Sequence, residues 1–184
     1  MIDNPESQSQ YPYYIDFSEF SNLMIVGNQG CGKSTFIQTI LYSMAMNYHS
    51  DDVNFYILDF SSGLLHNFMK LPHCGNVAQV DEEDSVNRTI RYLISVIEER
   101  NQIFKKAGVG GFWEFKKISK EPMPLLLLVI ENYFAFGENY ESLEGDITTL
   151  LRSGFRCGIQ VIVSANRMND MKFRLRQNIT RVVP

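Results

Sequence analysis

Apolar residues along this chain alternate between two spacings. Residues 23–26 (LMIV) form a short β-type run that stops at Gly27, and from Ser34 onward Ile37, Ile40, Leu41, Met44 and Ala45 recur at helical spacing. The pattern predicts a strand, a glycine-rich loop and a helix in direct succession. Residues 53–58 (VNFYIL) read as a second strand, ending at Asp59 and the turn-prone Ser61, Ser62 and Gly63. Between Asp81 and Phe104, the residues Val86, Ile90, Leu93, Ile94 and Ile97 make one apolar stripe. Acidic residues at 81–84 sit where the positive end of a helix dipole favours them. This is the longest predicted helix, and Gly108, Gly110 and Gly111 break it before a short aromatic segment, FWEF, at 112–115.

Residues 125–130 (LLLLVI) are apolar at consecutive positions, which marks a strand covered on both faces. Residues 147–151 belong to another helix, 159–164 (IQVIVS) to the next strand, and 179–183 begin one more. Strands alternating with helices predict a mainly parallel sheet with right-handed crossovers, hence an α/β layered fold. Residues 1–21 are polar and then aromatic without a clear period, and read as a linker followed by an N-terminal edge segment. Residues 22–184 read as one domain, in keeping with 184 residues and 45% apolar content.

Charge narrows the partners. With 17 Lys and Arg against 21 Asp and Glu the formal charge is −4, so no overall basic field exists to hold a polyanion, and DNA is not the expected partner. The apolar run at 125–130 is far shorter than the ~20 residues of a membrane-spanning helix. The first ten residues have neither the positive start nor the apolar middle of a secretory signal, so the domain is expected in the cytosol without direct membrane contact. Cys31, Cys74 and Cys157 lie far apart and form no CxxC pair, which predicts reduced thiols rather than a zinc site or a disulfide framework.

The stretch GNQGCGKST places Gly27, Asn28, Gln29, Gly30, Cys31, Gly32, Lys33, Ser34 and Thr35 in the pattern GxxxxGK[ST] between a strand and a helix. Glycines allow the φ values that turn successive N–H groups inward as an anion nest, and the following helix adds its positive end. Lys33 is expected on the β- and γ-phosphates of ATP and the Ser34 hydroxyl on Mg²⁺. Cys31 reads as a small side chain at a variable position of the loop.

A P-loop ATPase also needs an acidic residue at the end of a buried strand to serve the metal, followed by a glutamate that activates the attacking water. Here that strand ends in Glu131 and Asn132. Glu131 suits a role with Mg²⁺, directly or through water, whereas Asn132 cannot accept a proton, so weak or absent hydrolysis is expected. Asn166, just past IQVIVS, stands where a polar sensor of the γ-phosphate belongs, and a loop asparagine without function is the alternative. Asp59, at the end of its strand, has two readings, a group of the ligand-binding edge or a helix cap. The FWEF aromatics likewise either pack on the core or line an apolar groove for a helical segment.

The order of these stretches resembles the FtsK/SpoIIIE family of ring-forming ATPases. Beyond GNQGCGKST, the resemblance rests on VNFYILDFSSG, LPHCGNVAQVDEED, VIEERNQIF with Gly108 beyond it, PLLLLVIENYFAF, and GIQVIVSANR with Asn178 and Arg181. Within the family the chain is similar to the C-terminal ATPase modules of type VII secretion proteins of the EssC and EccC kind. The resemblance implies a three-layer RecA-like P-loop NTPase fold, ATP with Mg²⁺, and neighbouring ATPase modules in a hexameric or tandem ring. It also implies a role in export of small WXG-type proteins through recognition of the protein or its signal segment, at the cytoplasmic face of a membrane to which other parts of a longer chain are anchored. Two departures stand out. The usual Asp-Glu pair is Glu131-Asn132, and the usual Gly-Arg is Gly154, Phe155, Arg156, which leaves Arg152 or Arg156 as candidates to reach a neighbouring subunit. Family members continue past the segment matching 178–184, so a fragment or an excised domain is expected.

Overall fold

The structure is a computed structural model that describes residues 2–4, 9–11 and 15–183. Ile2–Asn4 (β1) and Ser9–Tyr11 (β2) pair as an antiparallel ribbon; the remainder of the linker expected before residue 15 lies outside the described residues.

Leu23–Val26 (β3) leads through the glycine loop into Lys33–Asn47 (α1), whose Ile37, Ile40, Leu41 and Met44 are buried. Val53–Asp59 (β4), Cys74–Gln79 (β5), Leu125–Glu131 (β6), Ile159–Ala165 (β7) and Arg181–Val183 (β8) complete a sheet of order β5-β4-β6-β7-β3-β8. Every pairing within it is parallel. All seven residues of both β6 and β7 are buried, as the uninterrupted apolar runs require of central strands.

Glu83–Ala107 (α2) links β5 to β6 together with Phe112–Ile118 (α3). Tyr133–Asn139 (α4) and Glu144–Ser153 (α5) link β6 to β7, and Phe173–Arg176 (α6) precedes β8. The steps β5→β6 and β6→β7 run along the sheet in the direction opposite to β3→β4. Right-handed crossovers therefore put α2 and α5 on one face and α1 on the other, giving three layers. No helix among the described residues is long and apolar enough to cross a membrane.

Two buried polar side chains bind the layers together. Asn22 is fully buried; its Nδ2 donates to the carbonyls of Leu151 and Asn178, both at 2.9 Å, and its Oδ1 accepts from Val161 N–H at 3.0 Å. Arg100, on the buried face of α2, donates to the carbonyls of Cys157 and Pro124 at 2.8 and 2.7 Å and lies 5.6 Å from the Phe112 ring centre. Burial pushes its guanidinium down to about 10, and nearby side chains such as Tyr92 and Cys157 counter that. Phe112 and Phe115 are buried at 2% and 5% exposure, so the FWEF segment packs on the core and does not form an open groove.

Candidate functional site: the phosphate loop and its carboxylate

The parallel sheet gathers the predicted site at one edge. Gly27 follows β3, Asp59 and Glu131 end β4 and β6, and Asn166 follows β7, all at the carboxyl ends of strands. Register fixes the neighbours, since Val26 pairs with Ala165 and Asp59 with Glu131. Gly27 N–H donates to Ala165 O at 3.2 Å, which ties the start of the loop to β7.

Within the loop Gly30 and Gly32 take φ values of 83° and 98°, a region L side chains rarely adopt. A Cβ on Gly27 would lie 2.5 Å from Cys31 Sγ, the end of an exposed side chain that packs across the loop and would have to turn aside. Asn28, Gln29, Gly30, Cys31, Gly32 and Thr35 form an exposed crest, with Gly27, Lys33 and Ser34 half-buried beneath it.

Lys33 Nζ donates to Gly27 O at 2.7 Å, Asn28 O at 3.0 Å and Asn166 Oδ1 at 3.0 Å. Ser34 Oγ donates to Glu131 Oε1. Glu131 is 2% exposed, and its Oε2 is buried without a hydrogen-bond partner. A hydroxyl and a carboxylate with a spare buried oxygen, side by side, suit a hard cation. Mg²⁺ is commonly held by one or two protein oxygens together with phosphates and waters.

The Glu131 carboxyl is pushed above its ordinary value, mainly by burial. The Ser34 hydroxyl pulls it back down, the adjoining Asp59 carboxylate adds to the rise, and the Lys33 ammonium opposes it. An acid raised on folding contributes stability below its unfolded value, near 4.5, and loses that contribution as pH rises through the folded value. In Mg²⁺-free buffer Glu131→Gln is thus expected to melt above the native chain at about pH 7.5, with the difference shrinking towards pH 4.5. Thermal melts at the two pH values check this, and a lower or equal Tm for the variant near pH 7.5 contradicts it.

Asn132 adopts φ 63° and is the N-cap of α4, a conformation asparagine tolerates better than most residues. Its N–H donates to Ser164 Oγ and its Nδ2 to Phe60 O, each at 3.0 Å. Asp59 takes the capping role. Its Oδ1 accepts from Ser61 and Gly63 N–H at 3.2 and 3.3 Å and its Oδ2 from Leu65 N–H at 3.0 Å, which shapes the turn Leu64–Lys70.

Arg152 and Arg156 are exposed near the entry to β7, the edge of the sheet opposite the phosphate loop, and Arg156 Nε donates to Gly110 O at 2.6 Å. Neither approaches Lys33 within this chain. One contact that sequence reasoning missed is Asp170, whose Oδ2 accepts from the N–H groups of Asn166 and Arg167, both at 2.9 Å, and so fixes the turn carrying Asn166. The acidic residue three places after a strand-end Asn-Arg was the available signal.

The sequence profile of the FtsK/SpoIIIE family matches residues 1–183. The chain belongs to the FtsK/SpoIIIE family. Among its FtsK/SpoIIIE relatives, the ESX secretion system protein EccC of Thermomonospora curvata is 30% identical over 183 residues, covering 96% of this chain and 14% of that protein. The type VII secretion system protein EssC of Staphylococcus aureus is 28% identical over 186 residues, covering 98% of this chain and 12% of that one. The structure of Thermomonospora curvata EccC, ATPases 2 and 3, in complex with a signal sequence peptide, superposes with a TM-score of 0.89 at 29% identity, over 95% of this chain and 33% of that one. This FtsK/SpoIIIE chain thus has the P-loop ATPase fold of the EssC and EccC modules, and spans about one-eighth of the length of the curated relatives it matches.

Proposed function

We propose that this chain is an ATP-binding module of a type VII secretion ATPase, with weak or no hydrolysis of its own. The carrying observation is the convergence of Lys33, Ser34, Glu131 and Asn166 on one glycine loop, beside an Asn132 whose amide is committed to Phe60 O. In this reading residues 27–35 wrap the phosphates, Lys33 meets the β- and γ-phosphates, and Ser34 with Glu131 holds Mg²⁺. The metal supplies neutralisation of phosphate charge when bound. Asn132 offers no proton acceptor next to the metal ligand, and the Asp59 carboxylate beside Glu131 is occupied in holding three backbone N–H groups.

The module acts beside neighbouring ATPase modules, of the same or other chains, at the cytoplasmic face of the membrane. There it takes part in recognising or gating the export of small WXG-type proteins. The signal peptide bound to the EccC neighbour supports this. Arg152 and Arg156 serve a nucleotide only across a module interface, consistent with their distance along the sheet from the loop. Of the two alternatives, a DNA-translocating motor is disfavoured by the formal charge of −4, and a structural ring module with a vestigial nucleotide site is separated from this reading by nucleotide binding.

Steady-state phosphate release from the purified chain with Mg-ATP tests the catalytic half of the proposal. A rate at the background of a Lys33→Ala control is expected; robust release abolished by Lys33→Ala overturns it.

A further inference from the structure

Lys33 has three N–H donors, and the structure accounts for all of them. Two go to carbonyls of the loop itself, Gly27 O and Asn28 O, and the third goes to Asn166 Oδ1, the one acceptor that lies outside the loop. A phosphate oxygen meeting this ammonium therefore has to displace a bond already made. The backbone that carries this acceptor is held firmly. Asp170 Oδ2 receives both Asn166 N–H and Arg167 N–H, while Gly27 N–H on Ala165 O keeps the two strand ends together. Lys33, the first residue of α1, and Asn166, just past β7, thus meet above the ends of two adjacent parallel strands whose register pairs Val26 with Ala165.

We propose that Asn166 is a latch on the phosphate-loop lysine: its side-chain carbonyl competes with phosphate for Lys33 and sets a threshold that nucleotide must overcome. The inference rests on the ATP-binding reading above and adds regulation of that site. It differs from a γ-phosphate sensor in sign. A sensor contributes affinity only when a γ-phosphate is present, whereas a latch subtracts affinity from every nucleotide that engages Lys33, including one without a γ-phosphate. ADP separates the two, because it offers Lys33 a β-phosphate and offers a sensor nothing.

The first arm of the test uses no nucleotide. The native chain and Asn166→Ala are treated with an amine-acylating reagent, and the modification rate at Lys33 is read by mass spectrometry against exposed lysines such as Lys117 in the same sample. Release of one hydrogen bond of ordinary net strength is expected to raise the Lys33 rate about threefold to tenfold, with the other lysines unchanged. The second arm measures Mg-ADP affinity by calorimetry. Asn166→Ala is expected to bind about threefold to tenfold more tightly than the native chain, and Asn166→Asp, whose carboxylate grips the ammonium harder, more weakly. Unchanged Lys33 reactivity in Asn166→Ala, or Mg-ADP affinity that is equal or lower, overturns the latch. Failure of all forms to bind nucleotide, with Lys33 reactivity raised as expected, leaves the latch intact as a contact and removes the ATP-binding reading instead.

Discussion

Replacing Asn22 with leucine is expected to cost about 3 to 5 kcal/mol of folding stability, although the residue lies outside the nucleotide site. The side chain is fully buried and serves three backbone groups at once: Leu151 O at the end of α5, Asn178 O before β8, and Val161 N–H in β7. Leucine keeps the branched shape, is bulkier, and supplies none of these bonds, so it leaves two buried backbone groups and one part-buried carbonyl unpaired. Each unpaired group costs roughly 1 to 3 kcal/mol, against a total stability of about 5 to 15 kcal/mol for a domain. Urea unfolding checks this as a lowered midpoint at an unchanged slope. Native-like stability in the variant contradicts the assignment of Asn22 as the tie between α5, β7 and the approach to β8.

That residue also shows where sequence reading stopped. The phosphate loop, β3, β4, β6, β7 and the long α2 were legible because each is written in a local pattern: a spaced glycine set, an apolar run, or a stripe of period 3.6. The edge strand β5 was not read as a strand, since CGNVAQ buries only Val77 and Ala78 and takes its shape from pairing with β4. Asn22 and the buried Gln160, whose Nε2 donates to the carbonyls of Phe17 and Phe20, look like ordinary polar residues until the fold brings backbone groups from far along the chain to meet them. Arg100 carried a readable sign, as it falls on the same stripe as Ile90, Leu93, Ile97 and Phe104, and a charge at that spacing has to find buried acceptors.

At the site, residue types and spacing pointed to Lys33, Ser34, Glu131 and Asn166, because strand ends of a parallel sheet share one edge. The division of labour among the others needed coordinates. Asp59 and Asn132 stand at equivalent-looking strand ends, yet one caps a turn with its carboxylate and the other bends the chain into α4 at positive φ. Cys31 reads in sequence as a variable loop position, and only the fold shows its sulfur lying across the loop against Gly27.

Loss of the Lys33 ammonium is the second large effect expected. Among the described residues Lys33 is the one cation hydrogen-bonded to the loop that is read as holding phosphates, and its bonds to phosphate oxygens are charge-assisted, worth roughly 1.5 to 3 kcal/mol each. Two such bonds lost in Lys33→Ala amount to an affinity at least about 100-fold weaker. The fold should survive, because Lys33 is half-buried and its ammonium bonds only to the loop and to Asn166. The direct measurement is therefore a calorimetric titration of Mg-ATP onto the purified chain and onto Lys33→Ala, with circular dichroism confirming that both are folded. Saturable binding by the native chain that is lost in the variant is the result predicted. Absence of binding by the folded native chain, or binding that Lys33→Ala leaves unchanged, contradicts the nucleotide-binding account at its centre.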